Sequence, residues 1–392
     1  MKKQNINLFM FVALYIIPLT GLSIDVYVPS LPNLAEYFHV SSLLAQNTIS
    51  IYILGLGVSQ LICGNVIDRY GRRIPLLVGL FSYLIFAVSI ILSHNIHLVS
   101  LFRLMQGISM GFIAVSARSV FVDLYSGDEY YRKASYMTIA YSIGPIIAPA
   151  IGGVLEHLWG WQSCFYFLII YAVVGFILVY FFLPETIKQR SDINITAIAE
   201  RYKAMLVHKE YLLNLVSLSM LNSVLMLFAL VGPFIIQSKL HYSPIVFGQM
   251  ALLCGLAWFV GNLTNRLFIH INRNRKIALA LKVAGIDLLI MLILALFWFN
   301  IYVIVIPICV LLVAASVIFS NLFVHSPTLF PKFAASASAF MAGAFGLFSA
   351  FICWLLTDSI STNSQTPLTI GYASLFVIVG ICCYMTKRMR RS

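Results

Sequence analysis

Apolar residues along the chain gather into long runs separated by short polar breaks. Runs long enough to cross a bilayer, about 20 residues each, fall near 8–28, 43–66, 74–93, 97–120, 134–156 and 162–183. A second set falls near 211–237, 245–268, 277–298, 301–324, 334–357 and 368–386. The pattern predicts twelve transmembrane helices in two groups of six, an all-α integral membrane fold. The longest polar segment, 187–210, is the expected cytosolic linker between a six-helix bundle over 1–186 and another over 211–392.

Composition strengthens this reading. Of the 392 residues, 61% are hydrophobic and 10% charged, against about 25% charged in soluble proteins. The first apolar run follows Met1-Lys2-Lys3 and meets no small-x-small cleavage site, so it reads as a first span rather than a removed signal peptide. The 7 cysteines lie scattered through apolar runs, with neither a disulfide framework nor a metal spacing. A net charge of +12 would suggest nucleic acid or anionic lipid as the partner of a soluble chain. Topology accounts for it better. With both termini cytosolic, 22 of the 25 Lys and Arg residues fall on the cytosolic side, one (Lys239) falls outside, and two (Arg103 and Arg118) lie inside the fourth span. That asymmetry orients a multi-pass protein in the cytoplasmic (inner) membrane, with the lipid bilayer and not nucleic acid as its partner.

One break is unusually charged: Gly64-Asn-Val-Ile-Asp68-Arg69-Tyr-Gly71-Arg72-Arg73. Asp68 ends a helix, where the macrodipole already places partial negative charge. It therefore needs a partner, either Arg72 or the N-terminus of another helix. Gly71 permits a left-handed turn, and Pro75 suits the first turn of the next helix. The pattern returns as Gly261-Asn262-x-x-Asn265-Arg266, 197 residues on and after the second span of its group. Duplicated halves with a site between them describe a transporter plan.

Ionisable residues inside spans are costly and are functional candidates by default. Asp25 and Arg103 lie toward the outer ends of spans 1 and 4, where they can pair. An acid alternating between a proton and an arginine is a proton carrier; the plainer reading is a static pair that fixes packing. Asp287 in span 9 is either a site residue or a structural hydrogen-bonding group. Glu36, Glu156 and Asp358 sit at outer helix ends, where solvation is expected. Arg118 and Asp123 frame the cytosolic end of span 4, as interfacial anchors or as partners, Arg118 for Asp68 and Asp123 for Arg72. In span 5, Gly144, Ala148 and Gly152 form a stripe followed by Gly153, beside Pro145 and Pro149. Small residues at this spacing let membrane helices approach closely, and the prolines should bend the helix. Tyr52, Gln106, Tyr141, Asn222, Phe228 and Asp287 are candidates to line a substrate cavity. No Gly-x-x-x-x-Gly-Lys nucleotide loop occurs, so neither an ATP-driven pump nor an enzyme is expected, and no cofactor beyond a proton gradient.

These residues resemble the major facilitator superfamily, and within it the twelve-span drug:proton antiporters. Gly64 to Arg73 matches the signature Gly-x-x-x-Asp-Arg-x-Gly-Arg-Arg at every signature position. Arg103-Leu-Met-Gln106-Gly107 resembles the helix 4 motif, and Gly144-Pro145 the start of the helix 5 antiporter motif. That motif continues with Gly-Gly where this chain has Ala148-Pro149, and Gly152-Gly153 follows one turn later. Asp25-Val-Tyr-Val-Pro-Ser-Leu-Pro32, Ala117-Arg118 with Asp123-Leu-Tyr125, and Leu183-Pro-Glu-Thr186 are similar to the Bcr/CflA multidrug exporters, though Val122 stands where that subgroup usually has Arg. The resemblance implies two pseudo-symmetric six-helix bundles and proton-coupled efflux of small drug-like compounds by a monomer. It implies that Gly64, Asp68, Arg69, Gly71, Arg72, Arg73, Arg118 and Asp123 build an inner latch, with Asp68 meeting the start of helix 11 near Phe333-Ala334. Asp25 and Arg103 would couple protons. A dedicated exporter of one metabolite or siderophore shares every one of these motifs, and an uptake symporter fits the helix 5 pattern less well.

Overall fold

The computed structural model describes residues 3–125, 127–187, 195–268, 270–360 and 365–389. Among them, twelve helices are long and apolar enough to cross a membrane. The chain divides into two compact units, Met1–Asn194 and Ile195–Ser392. The first holds span 1 (Ile6–Tyr37), span 2 (Ser42–Gly64), span 3 (Arg73–Ile91), span 4 (Ile96–Leu124), span 5 (Ile139–Trp159) and span 6 (Gln162–Phe182). The second holds span 7 (Lys209–Lys239), span 8 (Pro244–Leu267), span 9 (Arg273–Phe297), span 10 (Ile301–Leu329), span 11 (Ser336–Asp358) and span 12 (Thr366–Met389).

Helix starts are set by short polar side chains that take orphan amides. Ser41 accepts from Leu44 N, Asn95 from His97 N, Ser243 from Val246 N, Asn272 from Asn274 N and Asn300 from Val303 N. Each such cap contributes about 1 kcal/mol. In the first unit, spans 2 and 4 pack backbone to backbone. A Cβ on Gly55 would strike the carbonyl of Leu104, and one on Gly107 the carbonyl of Tyr52. In the second unit, spans 7 and 10 each bury 67% of their most apolar window, against 22% and 28% for spans 8 and 9. Spans 7 and 10 are therefore central, and spans 8 and 9 turn most of their apolar surface outward, as lipid requires.

Two expectations change. Span 1 is not one helix over 8–28 but a broken element: helix Lys3–Ile16, helix Leu19–Asp25, a 3₁₀ turn Val28–Ser30 and helix Leu31–Tyr37. Pro18, Pro29 and Pro32 lack the amides a continuous helix would use. Span 5 does the opposite. Its helix, Gly127–Trp159, runs on through Pro145 and Pro149. Within the expected linker, residues 188–194 lie outside the described residues, whereas Ile195–Val207 is a helix. It packs inside the second unit: Tyr202 and Phe340 have ring centroids 4.7 Å apart, and Arg201 Nη1 donates to Ser336 Oγ at 3.4 Å.

Candidate functional site

The charged turn after span 2 folds into a compact knot. The helix Ser42–Tyr70 ends at Gly71, whose φ of 97° is left-handed, a conformation that glycine reaches without steric penalty. The reversal brings Arg72 back over the helix end. Its Nη1 donates to Asp68 Oδ1 at 2.5 Å and its Nε to Asp123 Oδ2 at 3.0 Å. Burial disfavours the Arg72 cation, but its bonds to the Asp123 and Asp68 carboxylates outweigh that and raise its pKa. The guanidinium is thus fixed in its charged form. Asp123 Oδ2 also accepts from Thr186 Oγ1 at 2.9 Å.

Glu185 completes the knot, a role that sequence reasoning missed. Its Oε1 accepts the backbone amides of Arg72 (2.8 Å), Thr186 (3.0 Å) and Ile187 (3.1 Å), and its Oε2 that of Arg73 (3.3 Å). Arg73 Nη2 donates to the carbonyl of Tyr180 at 2.7 Å. A side chain on Gly71 would run into the Glu185 carboxylate, so glycine is required there for space as well as for φ. The legible signal was an acid after Pro184, beyond the end of span 6. The expected Asp123–Arg72 pair is formed. Asp68 is bound by Arg72 rather than by Arg118, because the turn folds Arg72 directly onto it. Arg118 Nη2 instead donates to Tyr141 Oη at 3.4 Å, with the guanidinium 5.6 Å from that ring centroid. Arg69 is exposed beside Tyr70, 5.6 Å from its ring centroid. Gly64 has open space around it.

The second cluster surrounds Arg103, which is fully buried. Its Nη1 donates to Gln106 Oε1 at 2.7 Å and its Nη2 to the Ser23 carbonyl at 3.2 Å. The guanidinium lies 4.1 Å from the Tyr52 ring centroid, 5.3 Å from that of Tyr27 and 5.8 Å from that of Phe165. Ser23 Oγ bonds Tyr83 Oη at 2.6 Å, and Tyr27 Oη bonds Thr48 Oγ1 at 3.2 Å. An arginine within a span costs at most roughly 2.5–3.5 kcal/mol on insertion scales, the value at the centre. A desolvated cation–π contact returns about 2 kcal/mol and a bond to a charged group about 1.5–3, so this nest holds the cation without an acid.

The expected Asp25–Arg103 ion pair is accordingly not formed. Asp25 ends the helix Leu19–Asp25 at the break in span 1, two residues beyond the Ser23 carbonyl that Arg103 binds. That carbonyl and Gln106 intercept the guanidinium. Among the described residues, Arg103 Nε and Gln106 Nε2 have no hydrogen-bond partner. Tyr52 and Gln106 are thus walls of the arginine nest rather than of an open cavity. Phe228 is likewise packed, 5.8 Å from the Phe247 ring centroid. Tyr141 and Asn222 stay partly accessible, with Asn222 Nδ2 donating to Met226 Sδ at 3.3 Å. Asp287 is buried with Oδ2 unpartnered.

Glu156 corrects another expectation. It is 3% exposed and accepts from Asn33 Nδ2. The 3₁₀ turn and the helix after it, residues 28–37, fold over the end of span 5 and bury it, whereas Glu36 and Asp358 are exposed. The span 5 stripe also finds its partner in span 1. A Cβ on Gly144 would lie 2.8 Å from the Pro18 carbonyl, and one on Gly152 would strike that of Val26. Ala148 and Gly153 are buried beside them, and the Pro145 ring fills the space over Gly21.

The faded repeat in the second unit keeps an acid-free version of the first knot, with Asn265 in place of the carboxylate. Asn265 Oδ1 accepts from Lys276 Nζ and from Asn321 Nδ2, both at 2.8 Å. Asn262 Oδ1 accepts from Ser320 Oγ.

The sequence profile described as Major Facilitator Superfamily matches residues 15–354. Multidrug resistance protein D of Escherichia coli is 29% identical over 187 residues, 47% of each chain. The bicyclomycin resistance protein homolog of Haemophilus influenzae is 27% identical over 191 residues, 48% of each chain. The chain thus spans about half the length of these two relatives. An uncharacterized MFS-type transporter of Bacillus subtilis is 25% identical over 361 residues, 91% of this chain and 89% of that one. The crystal structure of a D-xylose–proton symporter superposes with a TM-score of 0.75 at 15% identity, covering 97% of each chain. A peptide transporter crystallised with sulfate superposes at 0.78 and 13% identity, covering 99% of this chain and 95% of that one.

Proposed function

Because the chain belongs to the Major Facilitator Superfamily, it is a multi-pass membrane transporter and not an enzyme, and we propose that it exports small drug-like compounds across the cytoplasmic membrane in exchange for protons. The relatives named for multidrug and bicyclomycin resistance support the substrate class. The Lys and Arg asymmetry supports cytosolic termini.

The observation that supports proton coupling is an arginine nest without an acid and, two residues from the carbonyl it binds, an acid with no ion-pair partner among the described residues. Arg103 is fully buried without a carboxylate, and Asp25 sits two residues from the carbonyl that Arg103 binds. A carboxylate at a helix break, two residues from a carbonyl that a buried cation binds, can exchange a proton for the guanidinium if the break lets it swing toward Arg103. Taking one releases the other, and the break in span 1 lets the change reach the backbone. The Asp68–Arg72–Asp123 knot at the other end of the first unit then serves as the inner latch of an alternating-access cycle.

The test is transport in reconstituted vesicles with an imposed pH gradient and a compound panel. Export against the compound gradient, driven by inward protons and lost in Asp25→Asn, supports the reading. Substrate moving in the same direction as protons overturns it. Activity confined to one metabolite or siderophore would replace the multidrug assignment with a dedicated exporter.

A further inference from the structure

Spans 7, 9, 10 and 12 of the second unit enclose a cavity of about 170 Å³. Arg273 at the start of span 9 and Lys387 near the end of span 12 stand on its rim. Asn214 of span 7 lines it and is 2% exposed, yet among the described residues its Nδ2 has no acceptor. Leaving such a donor unsatisfied costs about 1–3 kcal/mol, so the amide implies an absent acceptor. One turn before it, Glu210 Oε1 is engaged by His325 Nε2 at 3.0 Å. Among the described residues, neither Arg273 nor Lys387 is bonded to a carboxylate. The helix Arg273–Phe297 also begins here, adding the positive end of its dipole.

Two cations and a buried N–H donor converge on one space, and what they lack is an anion. The rest of the wall is mostly apolar, with Ile277, Leu281 and Leu322 among its residues, beside the polar Asn274 and Thr386. Spans 9 and 12 turn large apolar side chains outward next to it, including Leu279 and Tyr384. The volume suits a phosphate with part of a glycerol and is smaller than the roughly 300–1,000 Å³ of drug-sized sites. Basic recesses between transmembrane helices are suited to lipid headgroups. We infer that this cavity seats the headgroup phosphate of an anionic phospholipid, with Arg273 and Lys387 neutralising it and Asn214 donating to one of its oxygens. A soluble phosphate would satisfy the same donors, but the apolar wall and the outward-facing lipid surface select the lipid.

The test is native mass spectrometry of the full chain in detergent, incubated with phosphatidylglycerol or phosphatidylcholine. We expect at least tenfold greater retention of phosphatidylglycerol. It should fall at least tenfold in the double variant Arg273→Gln/Lys387→Gln and persist in Lys239→Gln, which removes a cation elsewhere in the unit. Asn214→Leu, which keeps both cations, should weaken retention about tenfold. Equal retention of the two lipids, or undiminished phosphatidylglycerol binding in the double variant or in Asn214→Leu, overturns the inference. Displacement of the lipid by millimolar inorganic phosphate also overturns it, in favour of a soluble anion.

Discussion

Asp123 and Asp68 hold the same guanidinium from two sides, and they hold it unequally. Asp123 meets Arg72 Nε with its side chain 14% exposed, whereas Asp68 meets Nη1 with its side chain 49% exposed. Solvent screens the Asp68 pair to about 0–1 kcal/mol, while a sheltered bond to a charged group contributes about 1.5–3. Asp123→Asn should therefore lower thermal stability in detergent more than Asp68→Asn. Both should slow transport while leaving substrate binding largely intact. Equal unfolding midpoints for the two variants would contradict this ranking. Normal turnover in Asp68→Asn would remove the latch. The Arg72 pKa is raised, so its contribution is fully present below the ordinary arginine range and is lost only above it. Between pH 6 and 9 the Arg72 charge should add no pH dependence to stability.

Glu185 anchors four amides with one carboxylate. Glu185→Ala should cost about 1–3 kcal/mol and expose the bonds after Arg72 and Arg73 to trypsin in inside-out vesicles. Glu185→Gln keeps one acceptor oxygen and should lie between wild type and Ala. Unchanged cleavage in the Ala variant would show that the turn holds itself.

Arg103→Lys preserves charge but loses both the planar face over Tyr52 and the two-point donation to Gln106 and Ser23. Proton-driven export should drop at least tenfold in a protein that still purifies as a folded species. Asp25→Asn should abolish coupled export while leaving the first unit intact. Efflux at wild-type rates in either variant would remove that residue from the coupling mechanism.

Gly64 and Gly152 make opposite forecasts. Gly152→Ala drives a methyl group into the Val26 carbonyl, whereas a methyl group on Gly64 meets nothing within the unit. Gly152→Ala should lower the unfolding temperature by several degrees. Gly64→Ala should leave it unchanged or raise it slightly, since Ala favours helix by about 1 kcal/mol over Gly. Ala148→Leu, buried in the same stripe, should follow Gly152→Ala. Comparing the three variants by thermal unfolding separates tight packing from motif membership.

The spans were legible because each is a local run of apolar residues, and the knot was legible because its ends are close in sequence. Arg72 lies four residues from Asp68, so a left-handed glycine between them nearly dictates the bond. The Arg103 nest draws on Ser23, Tyr27, Tyr52 and Phe165 from spans 1, 2 and 6, and no periodicity announces such convergence. The Asp25–Arg103 pair was expected from shared depth in the membrane. Depth does not fix helix rotation, and a nearer carbonyl took the donor. Glu156 was misplaced because its burial depends on residues 28–37 folding over it, which follows only once span 1 is broken.

The Glu185 clasp grips main-chain amides, so it is indifferent to which side chains stand at positions 72 and 73. Exchange of those arginines by drift or by engineering would unpick the ionic contacts and leave the tether in place. The tether belongs to whichever fragment carries residue 185. A chimera that joins a foreign second half after residue 187 inherits a turn already fastened to the end of span 6. One that joins before 185 must bring its own carboxylate or work with that turn unfastened.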